Sequence, residues 1–101
     1  MVAQKQHVLN VKPQFFALQL TASSNLKGIQ TFINQHKLVS TAMIVQTMRD
    51  GKSWFMVLYG MFPTRKEADT IAAQMKTKKI NAWVRTYASI QKEIGPASAK
   101  K

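Results

Sequence analysis

The sequence predicts an α+β fold of order β-α-β-β-α-β, a four-stranded antiparallel sheet with two helices on one face. Three observations carry this. First, Asp50-Gly51 separates two apolar runs, Met43–Met48 and Ser53–Tyr59. Asp-Gly in that setting signals a hairpin, because a type I′ turn needs positive φ at both central positions. Second, apolar residues at helical spacing lie on either side of the hairpin, before it at Leu26, Ile29, Phe32 and Ile33 and after it at Ala68, Ile71, Ala72 and Met75. Third, a strand-like run lies outside each of these helices, Phe15–Thr21 and Ile80–Tyr87.

Taken in order, residues 1–13 lack periodicity and read as a linker or fraying terminus that Pro13 closes. In the first strand, Phe16, Leu18 and Leu20 form a fully apolar set, and Phe15, Ala17, Gln19 and Thr21 a mixed one. Because side chains alternate along a strand, the first set is expected in the core and the second on a wetter face. Ser23, Ser24 or Asn25 can cap the first helix, which runs to about His36 or Lys37. The third strand is apolar on both parities, Phe55, Val57 and Tyr59 against Trp54, Met56 and Leu58. Such a strand is central in its sheet, and either both faces are covered or one is left for a partner. Thr64-Arg65-Lys66-Glu67 is a capping box that opens the second helix. The small-residue stripe of that helix lets it lie close to a sheet.

This order is the split βαβ, ferredoxin-like (RNP-like) sandwich, in which the first and third strands are central neighbours. With both helices on one face, the other face is expected to be open. If Phe55, Val57 and Tyr59 face the helices, Trp54, Met56 and Leu58 are exposed; the reverse assignment fits the pattern equally. The folded unit is expected over 14–91, with 92–101 a flexible basic tail.

Composition narrows the chemistry. The chain has 101 residues, room for one domain, and 46% hydrophobic residues, enough for a core. No cysteine is present, so disulfides, thiolate metal sites and a Cys nucleophile are excluded. Fifteen Lys+Arg against four Asp+Glu give a net charge of +11, a balance that attracts polyanions. No apolar run reaches the roughly 20 residues that span a bilayer, so no membrane contact is expected from these residues. His7 and His36 lie in a tail and at a helix end, without partners for a metal or a base. Of the carboxylates, Asp50 suits a turn, Glu67 a cap, Asp69 a helix surface and Glu93 the tail, which leaves no pair for glycoside hydrolysis. No enzyme constellation and no cofactor or metal site is expected.

Several segments resemble the SPOR domain family. Phe16-Ala17-Leu18-Gln19-Leu20 followed by Thr21-Ala22-Ser23-Ser24 resembles its first strand and small-residue turn. The run from Arg49 to Phe62 resembles its third strand, closed by a Gly and an aromatic, and Thr64-Arg65-Lys66-Glu67-Ala68 the start of its second helix. Gln30–Asn34 and Ala82–Arg85 are similar to the DamX-like subgroup of division proteins. The resemblance covers about Gln14 to Gln91. It implies a periplasmic module that binds peptidoglycan, prefers glycan strands stripped of stem peptides, and collects at the division septum. The parent protein would be anchored in the inner membrane and would meet other division proteins. Carried over position by position, the implied glycan-binding residues are Gln19, Ser23, Trp54, Met56, Trp83 and Arg85, with the family's turn hydroxyl falling at Ala22-Ser23. The residue chemistry agrees: aromatic rings stack on pyranose faces, Gln and Ser bond to hydroxyls and amides, and Arg49, Lys52 or Arg85 suit lactyl carboxylates.

Two other functions fit the same plan. An RNA-recognition-type domain stacks bases on central-strand aromatics. However, Ser53-Trp54-Phe55-Met56-Val57 lacks that family's glycine-bearing run. A protein-interaction module would use the open row Trp54-Met56-Leu58.

Overall fold

The computed structural model describes residues 8, 10–38 and 41–99. Its elements are β1 (Phe16–Ser23), α1 (Leu26–Gln35), β2 (Ala42–Arg49), β3 (Lys52–Phe62), α2 (Arg65–Lys76), β4 (Trp83–Thr86) and α3 (Tyr87–Ala99). The sheet is antiparallel in the order β2-β3-β1-β4, with β1 and β3 central as expected.

Local chemistry sets the boundaries. Asp50 (φ +54) and Gly51 (φ +77) both take the positive φ of a type I′ turn, and Arg49 pairs with Lys52 across it. Asn25 caps α1, its Oδ1 accepting from the Gly28 amide at 3.2 Å. Thr64 caps α2, its Oγ1 accepting from the Glu67 amide at 3.2 Å. The return bond of the capping box, from the Thr64 amide to the Glu67 carboxylate, is absent among the described residues. Gly60 takes φ +83 at an irregularity where Phe16 pairs with Phe62 but Leu18 with Tyr59. A Cβ at Gly60 would collide with the Phe62 ring, and φ there is positive, so this turn of the strand requires glycine.

One face of the sheet carries α1 and α2. Leu18, Leu20, Ile44, Phe55 and Val57 meet Ile29 and Ile33 of α1 and Ala68 and Met75 of α2. Of the two assignments open for β3, Phe55 and Val57 therefore face the helices, and Tyr59 packs at that core's margin.

The other face is not open. α3 lies across it and brings Tyr87, Ile90 and Ile94 onto Ala17, Val45, Met56 and Leu58. Met56 and Leu58, expected to be exposed, are 1% and 0% exposed. Among the described residues, three helices thus flank the sheet, two on one side and one on the other. The physical reason is the apolar row itself: burying each large apolar side chain contributes about 1.5–3 kcal/mol, and the chain supplies its own cover. The helix also runs beyond residue 91, so the segment read as a tail from 92 is helical to Ala99, with Ile94 in the core; residues 100–101 lie outside the described residues.

The N-terminal segment differs from its linker reading in the same way, although residues 1–7 and 9 lie outside the described residues. Val8 and Val11 are buried in this second core. Gln91 Nε2 donates to the carbonyls of Val8 (2.9 Å) and Val11 (2.6 Å). The Tyr87 and Ala88 amides donate to the carbonyls of Phe15 and Pro13. The described residues before β1 and α3 hold each other against the sheet.

Candidate functional site

α3 covers only part of the second face. At the end of the sheet where β1 and β2 finish and β3 and β4 begin, an open groove of about 960 Å³ remains. Its lining draws on every strand: Gln19 and Ala22 from β1, Arg49 from β2, Trp54 and Met56 from β3, and Trp83 and Arg85 from β4. Asn81 from the preceding loop and Glu93 from α3 also line it.

Strand register explains which side chains arrive here. Ala17 packs in the second core, so Gln19, two residues on, shares that face. Gln19 pairs with Trp83, and Ala17 with Arg85, which places Trp83 and Arg85 on the same side. A register shift then falls between Gln19 and Thr21. Beyond it Ala22 pairs with Met56 and takes the groove face, while Ser23 pairs with Phe55, whose ring lies in the helix-side core. Simple alternation from Gln19 would have put Ser23 in the groove; the bulge reverses the parity. Ser23 is not among the lining residues, and its Oγ instead accepts from the Asn25 amide at 3.0 Å, closing the turn into α1. Of the six residues singled out from sequence, the structure brings five together and leaves Ser23 aside.

The polar side chains form one linked set. Arg85 Nη1 donates to Gln19 Oε1 at 2.8 Å, and Arg85 Nη2 to Glu93 Oε1 at 3.1 Å. Arg49 Nη2 donates to Glu93 Oε2 at 3.3 Å, and the Arg49 guanidinium sits 4.6 Å from the Trp54 ring centre. Arginine has no acceptor, so the oxygen of the Gln19 amide must face Arg85 and its nitrogen is left as a donor. Met56 is the groove's floor, with its Sδ 3.6 Å from Arg85 Nη1. Trp83 is 68% exposed, a large free aromatic face at the rim. The site thus combines an exposed indole, a half-buried indole backed by a cation, and amide and guanidinium donors. That set suits a ligand with flat apolar faces and many acceptors.

Sequence reasoning missed Glu93 and Asn81 as lining residues. The signal for Glu93 was the spacing Tyr87, Ile90, Ile94, which marks a helix on the sheet and carries Glu93 with it. Lys52, considered beside Arg49, is not among the lining residues.

Comparison with known proteins bears on this groove. The family model described as SPOR domain matches residues 12–86. The cell division protein DamX of Serratia marcescens is 28% identical over 83 residues, which cover 78% of this chain and 37% of that protein. The chain therefore spans little more than a third of that relative's length. In fold, the chain is similar to the solution structure of the peptidoglycan binding domain of the Bacillus subtilis cell wall lytic enzyme CwlC. There the TM-score is 0.52 at 21% identity, covering 70% of this chain and 86% of that one. A family model that matches most of the chain, together with the split βαβ sheet, settles the assignment: this chain belongs to the SPOR domain family.

Proposed function

We propose that the chain is a non-catalytic peptidoglycan-binding module. It recognises glycan strands lacking stem peptides and so carries its parent protein to the division septum. The observation that supports this most is the convergence of Trp83, Trp54, Gln19 and Arg85 on one groove, in a chain with a DamX-type relative. On this reading Trp83 stacks on a pyranose face at the rim. The Gln19 amide nitrogen and Asn81 bond to hydroxyls and N-acetyl groups. Arg49 and Arg85 meet the lactyl carboxylate of a muramic residue. That carboxylate is free only where the stem peptide has been removed, because the peptide is otherwise amide-linked to it. Charge recognition and preference for denuded strands thus share one chemical origin. The site of action is the periplasm at the septum. The parent protein is anchored in the inner membrane, and other division proteins are its further partners.

The test is co-sedimentation of the full chain with purified sacculi before and after amidase treatment, with single-stranded RNA as a parallel ligand. Binding is expected to rise after amidase treatment and to fall about tenfold, roughly 1.4 kcal/mol, in Trp83→Ala and Gln19→Ala. Equal binding to both forms of sacculi would remove the claim of denuded-strand preference. RNA binding without sacculus binding would replace the reading altogether.

A further inference from the structure

The chain carries a net charge of +11, yet the groove does not share that excess. Its lining contains two arginines, one glutamate and no lysine, a net charge of +1. The glutamate is placed to make this so. Glu93 projects from α3 and bonds both arginines, one through each carboxylate oxygen: Oε1 to Arg85 at 3.1 Å and Oε2 to Arg49 at 3.3 Å. α3 is pinned at that point by Thr47, whose buried hydroxyl donates to the Glu93 carbonyl at 3.4 Å. The side chains of Glu93 and Arg85 are only 21% and 22% exposed, so their charges are less screened than those of a surface pair.

We infer that Glu93 sets the charge selectivity of the groove: by pairing with Arg49 and Arg85 together it leaves one unbalanced positive charge, which admits a sparsely charged glycan and disfavours a polyanion. The inference rests on the glycan-binding reading above. A denuded glycan carries one carboxylate per disaccharide, whereas a nucleic acid carries one phosphate per nucleotide. In a chain so basic, an uncompensated pair of arginines beside two indoles would make a good single-strand site, since aromatic stacking and cationic contact are what such sites use. Glu93 opposes this in two ways. Its charge repels closely spaced phosphates, and it occupies guanidinium donors that would otherwise grip them. Glu93 is also a positioning residue: it holds Arg85 on one side while Gln19 holds it on the other, so the guanidinium stays fixed over Met56.

The test uses the full chain and Glu93→Gln, which keeps shape and removes charge. Binding to a single-stranded RNA oligonucleotide is measured across a salt series, and binding to amidase-treated sacculi at one salt concentration. Each further phosphate neutralised on a single strand steepens the slope of log affinity against log salt by roughly 0.7. Glu93→Gln is therefore expected to steepen the RNA slope by about that amount and to raise RNA affinity about fivefold at low salt. The ratio of RNA to sacculus affinity should therefore rise, because the lost charge bears on closely spaced phosphates more than on one carboxylate per disaccharide. An unchanged slope in a variant with native melting behaviour would overturn the inference. If Glu93→Gln does not fold, Arg49→Ala tests the same claim with the opposite sign. It leaves Glu93 paired with Arg85 in a neutral groove, and the RNA slope should become shallower; a slope that stays put would again overturn the inference. If the wild-type chain fails to bind sacculi, the glycan reading falls on that arm alone, and the salt slopes still report on Glu93.

Discussion

Trp83 and Trp54 stand at two depths of the groove, and that difference separates binding from stability. Trp83 is mostly free of protein contact, so Trp83→Ala should leave the melting temperature unchanged while sacculus binding falls. Trp54 packs against the second core and lies under Arg49. Trp54→Ala is expected to lower stability by about 2 kcal/mol through lost apolar burial and cation–π contact, with binding lost as well; calorimetric melting and co-sedimentation on the same samples check this. Tyr87 offers a pH test. Its hydroxyl donates to the Gly60 carbonyl at 2.8 Å, and burial pushes its pKa from 10.0 up to about 12. Below pH 10 the phenol is protonated in both folded and unfolded chains, and its contribution is complete. Between about pH 10 and about pH 12 the unfolded chain ionises first, so stability falls as pH rises, by about 3 kcal/mol in all. Tyr87→Phe should lack this limb, which then appears as the difference between the two proteins' pH–stability curves. At this scale the sequence was informative for side-chain identity and less so for direction. Gln19, Trp54, Met56, Trp83 and Arg85 were readable as a set. Ser23 lies off the groove because a bulge after Gln19 changes strand parity, and the pattern Gln-Leu-Thr-Ala-Ser carries no glycine to announce one.

α3 is the element on which the site depends, and it was the hardest to read. Its apolar stripe, Tyr87, Ile90 and Ile94, has helical spacing, but only three residues mark it and Gly95-Pro96 follows at once. An isolated helix of this length is marginal in water; it forms here because the sheet offers Val45, Met56 and Leu58 for it to cover. The hairpin turn and the α2 cap were legible because their chemistry is local, positive φ at Asp50-Gly51 and a hydroxyl at Thr64. α3 depends on contacts with residues far away in the chain, from Leu58 back to Val8, which no local pattern states. Ile94→Ala is expected to cost 2–5 kcal/mol, the usual range for truncating a buried Ile to Ala, a large loss for a terminal helix. Denaturant melts would show it as a lower midpoint. If Ile94→Ala melts like the wild type, α3 does not hold the second face as described.

On the scale of the whole molecule, a strongly basic chain folds so that this groove is nearly neutral. The excess charge lies outside the groove, on helix ends such as Lys76, Lys78 and Lys79. On the proposed reading, bulk attraction to an anionic wall is then separate from recognition. The first is screened over about 10 Å at ordinary ionic strength, and the second rests on stacking and hydrogen bonds. The fold plan and strand order followed from the sequence because β-α-β-β-α-β admits few arrangements. The shape of the groove did not, since it is the part of a face left bare once α3 has docked. The central claim is that glycan binds in this groove, and the most direct measurement is an NMR titration of the full chain with a soluble glycan oligosaccharide lacking stem peptides. The account expects shifts in the indole N–H signals of Trp83 and Trp54, the side-chain amide of Gln19 and the guanidinium of Arg85, with α1 and α2 unmoved. Shifts centred on α1 and α2, or none at saturating glycan, would contradict it.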